Sequence, residues 1–317
     1  MPKTKYLKTF ILKKIGPILF WLLPLLGAYV FNDYQLLIAY MLVMGLFALS
    51  LDLILGYAGI LSLGHALFFG LGGYAAGLLA THGWHEPLSG LLMAGVFSGF
   101  IGWLSSFLVL RVSQLAQLMV SLILGLVGYE LANRMVWLTG GIDGLWGIRI
   151  DPIFGLWDFD FAGQTALYYC YTVLLICFYL CYRLVHSSFG FSLKAIRENA
   201  ARVAFLGFEN QRYLRRIYVV STSLAGMAGA LLVQITQFVA LDSISFQRSA
   251  EVLMMLVLGG MGQLYGALIG AGVFVWLHDL LSVYSPAYWQ FWLGLFLVAV
   301  VLLGRGGLFG WLRSGVK

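Results

Sequence analysis

Charge is what this sequence has least of. Only 10% of its 317 residues are Asp, Glu, Lys or Arg, against 61% hydrophobic, and the mean hydropathy is +0.91. A soluble fold of that length needs far more polar surface, so the chain reads as an all-α polytopic integral membrane protein. Cysteine is scarce too. Cys170, Cys177 and Cys181 lie on one face of one apolar segment, where thiols act as small hydrophobes, and they offer neither a disulfide framework nor metal-ligand spacing. No GxxxxGK[ST] loop occurs, so any ATP that drives the protein is bound by another chain. Nor is there an HExxH, a GxSxG or a paired-carboxylate arrangement at working spacing. Catalysis by the chain itself is not expected, and neither is a resident metal or cofactor. Finally, no Asp, Glu or His stands at the middle of an apolar segment, as coupling to a proton or sodium ion would require. A carrier or channel working without a separate motor remains the competing class.

What the sequence has is a series of apolar runs of about membrane length. They fall at about 15–31, 36–56, 60–80, 88–110, 115–136, 164–185, 217–238, 250–280 and 287–304. As one helix, the 250–280 run would reach about 40 Å, too long for a hydrocarbon core of about 30 Å. Its Gly259, Gly260 and Gly262 suggest a break, which makes about ten membrane segments including broken or re-entrant ones. Lys3, Lys5, Lys8, Lys13 and Lys14 precede the first run, as in a signal sequence, but no small-residue cleavage site follows, so an uncleaved first helix is expected.

The basic residues set the orientation. All of the nineteen Lys and Arg residues except Arg134, Arg149 and Arg248 fall on one side if the N-terminus, the turn at 111, the 183–216 stretch and the C-terminus share it. By the positive-inside rule that side is cytoplasmic. The net charge of +6 is therefore a topology signal, and no nucleic-acid partner is implied. The 138–163 stretch, with its glycines and four aspartates, becomes a periplasmic loop suited to a basic patch on a partner. Five segments precede it and five follow, an arrangement compatible with an inverted 5+5 repeat within a single transmembrane domain spanning 1–317.

The charged island Ser192–Arg216 carries six of the basic residues. At helical spacing Ile196, Ala200, Val203 and Leu206 form an apolar stripe opposite Lys194, Arg197, Glu198 and Arg202. Ser192 is the expected cap and Gly207 the expected stop. Such a short helix between two membrane segments suits a groove on another protein. Elsewhere, His65 is expected to bond freed backbone at a helix start, Glu251 to pair with Arg248 or meet a substrate ammonium, and Asp52 and Glu130 to reach water at segment ends. The glycine-rich stretch 56–73, with Gly59 and Gly64, and the break at 259–262 are candidate pathway or gate elements, although glycine also serves close helix packing.

Four stretches carry a family resemblance: LDLILGYAGILSLGHALFFGLGGYAAG at 51–77, TGGIDGLWGI at 139–148, IRENAARVAFLG at 196–207 and VLGGMGQLYGALIGA at 257–271. Together they resemble the permease subunits of bacterial ABC importers for branched-chain amino acids, the second permease of the high-affinity system in particular. The resemblance implies an inner-membrane permease that alternates access, paired with a second homologous permease, two cytoplasmic ATPase subunits that bind ATP and Mg, and a periplasmic substrate-binding protein. It also makes 186–216 the cytoplasmic coupling loop. Glu198, Ala200, Ala201 and Gly207 match the loop's positions, with Arg197 and Arg202 among them. The proline often found downstream of that loop is missing, Asp52 stands where the family often has Asn, and Ala267 where it often has Pro. Related permeases move urea, short amides or other small acids, so those substrates stay open.

Overall fold

The computed structural model describes residues 19–159 and 163–303, so the basic N-terminus, the basic C-terminal tail and residues 160–162 lie outside it. Among the described residues the chain is helices and turns, with two isolated β-bridges, Leu145 to Val239 and Ile153 to Trp157. In order run α1 (Leu19–Val30), α2 (Gln35–Asp52), α3 (Ala66–Thr81), α4 (Pro87–Val109), α5 (Gln114–Arg134), the single turn α6 (Val136–Thr139), α7 (Gln164–Val185), α8 (Ser188–Phe205), α9 (Asn210–Thr236), α10 (Phe246–Gly259), α11 (Leu264–Tyr284) and α12 (Trp289–Leu303). Six spans are long and apolar enough to cross a membrane: α2 with its π-helical extension Leu53–Tyr57, α4, α5, α7, α9 and α11. The shorter apolar helices α1, α3 and α12 accompany them. Every expected apolar run holds a helix, so the polytopic architecture stands.

Helix α2 is the axis. From Leu42 to Asp52 every residue is buried, and α7, α9 and α11 surround it. Without water to drive apolar faces together in lipid, helices associate by close packing of small residues. The seam among α3, α4 and α9 follows that rule. Gly72 lies against Gly226, Gly73 against Gly229, and Gly102 against Thr222. Ser221 of α9 donates to the Ser50 carbonyl of α2 at 2.6 Å, fixing the register of the two most central helices.

Two segments do not cross as single helices. The sequence pattern predicts helix from Ile60, but α3 begins only at Ala66, and residues 58–65 run without regular structure. At 1.5 Å per residue α3 is about 24 Å long and α10 about 21 Å, both short of a hydrocarbon core of about 30 Å. Unwound backbone inside a membrane protein must find partners. Here Ile60 N–H donates to the Ile54 carbonyl at 2.8 Å, Leu63 N–H to Ser121 Oγ at 3.0 Å and Ala66 N–H to Ser249 Oγ at 3.0 Å. The last bond joins the start of α3 to the start of α10. From that meeting point α3 runs to the end holding the 82–86 turn, and α10 runs to the end holding α8. As the glycines suggested, α10 stops at Gly259 and α11 starts at Leu264.

The charged island is helical but arranged differently from the sequence expectation. Helix α8 starts at Ser188, so Ser192 lies inside it, donating to the Ser188 carbonyl at 3.0 Å, and does not cap it. Asn199 leaves helical geometry (φ −156°, ψ 90°) and its Oδ1 accepts from Arg202 N–H at 2.9 Å, so it caps a short second piece of helix. This break interrupts the expected stripe: Ile196 and Val203 are buried, whereas Ala200 and Leu206 are exposed. Gly207, at φ +85°, ends the helix as expected.

Candidate functional site

At the α8 end of the bundle, four segments meet around Asp52 and Gly56. Asp52, the last residue of α2, is fully buried. Its Oδ1 accepts a 2.7 Å hydrogen bond from Gly262 N–H in the turn between α10 and α11. Gly262 has φ +76°, open to glycine at little cost. From α8, Arg197 Nη1 donates to the Gly56 carbonyl in the π-helical turn. Gly56 must lack a side chain, because a Cβ there would overlap Asp52 Oδ1 and the Gly262 backbone. Gly59, at φ +74°, lies directly against the Arg197 side chain. Around them opens a cleft of about 350 Å³ lined by Gly56, Tyr57, Lys194, Arg197, Glu198 and Gly262. Arg197 therefore touches the ends of both interrupted segments.

Beyond this junction α8 projects outward. Glu198, Ala200, Ala201 and Arg202 are exposed, and Phe205 and Leu206 at its tip are 92% and 72% exposed. Large apolar residues exposed beside a charged helix at an end of the bundle mark it as a contact surface.

A second polar junction lies at the start of α10. Ser245 caps the helix, accepting from Arg248 N–H at 3.1 Å. Arg248 Nη1 donates to Tyr40 Oη and to Glu251 Oε2, each at 2.9 Å, and Nη2 to Asp242 Oδ2 at 3.1 Å. The Arg248 and Glu251 side chains are only 18% and 12% exposed. Glu251 thus pairs with Arg248, one of the two alternatives its position allowed. His65 sits between the two junctions, fully buried and stacked on Phe47. Ser50 spends its one proton on the Phe47 carbonyl at 2.6 Å, so the 2.9 Å contact is His65 Nε2–H donating to Ser50 Oγ. His65 bonds a side chain, and the backbone at the α3 start is met by Ser249 instead.

The structure thus gathers Gly59, Gly262 and Arg197 in one junction with Asp52 and Gly56. Gly260, at φ +104°, forms the same turn. Gly64 and Gly259 do other work: a side chain on the first would overlap the Ser121 carbonyl of α5, and on the second the Gly266 carbonyl of α11. Asp52 does not reach water, because Gly262 supplies the donor that water would have. Glu130 does reach water, half-exposed in a 2.6 Å pair with Arg134. Sequence reasoning placed Gly56 at the head of the glycine-rich stretch without assigning it a contact with Asp52, and it passed over Tyr40. For Gly56 a signal existed, since a lone acid at the end of an apolar run followed by glycine marks a helix end needing close approach. Tyr40 gave none.

Comparison with known proteins agrees with this architecture. A family profile for the permease component of branched-chain amino acid transport systems matches residues 34–302. The high-affinity branched-chain amino acid transport permease LivM of Salmonella typhimurium is 28% identical over 85% of this chain and 68% of its own length, and LivM of Escherichia coli is 27% identical over the same shares. LivH of Escherichia coli is 22% identical over 81% of this chain and 88% of its own. No solved structure matches. With nearly the whole described bundle inside the family match, the chain belongs to the permease components of branched-chain amino acid transport systems.

Proposed function

We propose that this chain is one permease subunit of an ATP-driven importer that carries branched-chain amino acids across the bacterial inner membrane by alternating access. The exposed tip of α8 faces the cytoplasm and docks in a cleft of an ATPase subunit. Two such ATPases, a second homologous permease and a periplasmic binding protein complete the assembly, and ATP and Mg are bound by the partners alone. The single observation that carries this reading is the continuity from tip to bundle. The Phe205–Leu206 knob ends the short helical piece capped by Asn199, which follows directly on the helix that carries Arg197, and Arg197 holds the Gly56 carbonyl beside the Gly262 turn. A push on α8 therefore bears on both interrupted segments at once. The two half-length helices, entering from opposite ends and meeting start to start, fit an inverted pair of repeats whose relative rocking opens one side and then the other.

The test is uptake of labelled leucine by the complete assembly in liposomes, with ATP inside. Uptake should require ATP, and Phe205→Asp should lower uptake by about tenfold or more while the chain still assembles in the membrane, since a buried charge without a partner costs several kcal/mol. Gradient-driven uptake by this chain alone would overturn the reading, as would unchanged ATP-driven uptake in the Phe205 variant.

A further inference from the structure

Away from both junctions, a cavity of about 700 Å³ opens between α4, α7, the first turn of α8 and α9. It is lined by Trp103, Leu184 and Phe189, by Arg212, Arg215 and Arg216, and by Val219 and Val220. Helix α9 explains why arginines crowd one end of it. Its 27 residues are about 40 Å long, some 10 Å more than a hydrocarbon core, and that excess is about seven residues. The first seven residues, Asn210 to Arg216, hold all three arginines and the rest of the helix carries no charge, which puts Arg212, Arg215 and Arg216 at its polar end and Val219 and Val220 within its apolar run. The cavity is therefore cationic at one end and apolar at the other.

The charges are not used up internally. Arg212 pairs with Glu209 at 2.5 Å. Arg215 lies over the Phe107 ring at 4.1 Å, and its Nε is buried without a hydrogen-bond partner. Arg216 is exposed, and no carboxylate lies within ion-pair distance of it among the described residues. Two cationic groups thus face a space whose other wall is tryptophan and aliphatic side chains. A soluble anion would leave the apolar part unfilled, and a neutral lipid would leave the arginines without a counter-charge.

We propose that this cavity is a binding site for an anionic phospholipid, with its phosphate on Arg215 and Arg216 and an acyl chain along Val219, Val220 and Leu184. The ligand would tie α4, α7 and α9 together beside the root of α8. Bound lipid would then set how firmly that root is held. Basic pockets between spanning helices at the membrane surface suit such headgroups.

The test uses the purified full-length chain in nanodiscs of phosphatidylglycerol or phosphatidylcholine, with retained lipid counted by native mass spectrometry and inorganic phosphate offered as competitor. Wild-type protein should retain phosphatidylglycerol preferentially. Arg216→Gln should lower that preference about fivefold, and Arg215→Gln with Arg216→Gln about thirtyfold. Because Arg216 has no ion-pair partner among the described residues, its single variant should melt at the wild-type temperature in phosphatidylcholine, where neither protein holds the anionic lipid, which separates lost binding from lost fold. Equal retention of the two lipids by wild type, an unchanged preference in the Arg216 variant, or displacement of lipid by inorganic phosphate would each overturn the proposal.

Discussion

The two polar junctions at the ends of α10 are made of different materials. At its start, Arg248 holds Glu251, Tyr40 and Asp242, and the Arg248–Glu251 ion pair is mostly out of water while Asp242 is half-exposed. At its finish, Asp52 and Arg197 hold backbone groups of glycines. A buried ion pair lacks a partner on either side if it opens, which is costly. Backbone amides and carbonyls in a glycine turn can be re-bonded by water once a cleft of about 350 Å³ gives access. The first junction is thus suited to staying shut, and the second to opening when α8 moves.

Arg248→Ala should break this contrast most severely. It leaves Glu251 buried without its cation and should cost about 3–5 kcal/mol of stability, read as a large fall in melting temperature in detergent. A shift of a degree or less would show that the first junction is as loose as the second. Gly56→Val comes next, because its side chain must displace Asp52 and the Gly262 turn. Overpacking of this kind costs about 1–3 kcal/mol, and ATP-driven uptake should be lost. Asp52→Asn keeps the shape but trades a charged acceptor for a neutral one. It should cost about 1 kcal/mol, and wild-type thermal stability would mean that the Gly262 bond is not charge-assisted. Arg197→Ala should have the smallest effect on stability, below about 1 kcal/mol, since its side chain is largely exposed. Its uptake defect should nonetheless exceed that of Asp52→Asn. Equal defects in uptake would argue that α8 does not act through this arginine.

How much of this was legible beforehand depended on how local the cause was. The break after Gly259 was readable, because three glycines in four residues weaken a helix by their own chemistry. The late start of α3 was not. Residues 60–65 continue a mostly apolar run, and they stay unwound with the Leu63 N–H held by Ser121, 58 positions away, while Ser249, 183 positions away, takes the Ala66 N–H where α3 begins. Likewise Arg197 and Gly262 could each be named as functional, but nothing in the sequence says that they converge on Asp52. The kink at Asn199 lay between these cases. An asparagine can cap a helix as well as continue one, and the periodic stripe running through it favoured continuation. The polytopic class needed no such partners, because composition alone decides it.

The three thiols of α7 are all buried, none more than 3% exposed. They leave the natural chain silent to water-soluble maleimides while it is folded. A single cysteine placed at Phe205 or at the exposed Met261 would then carry the spectroscopic label by itself, and the distance between two such labels could be followed through the ATP cycle without first removing any native sulfur.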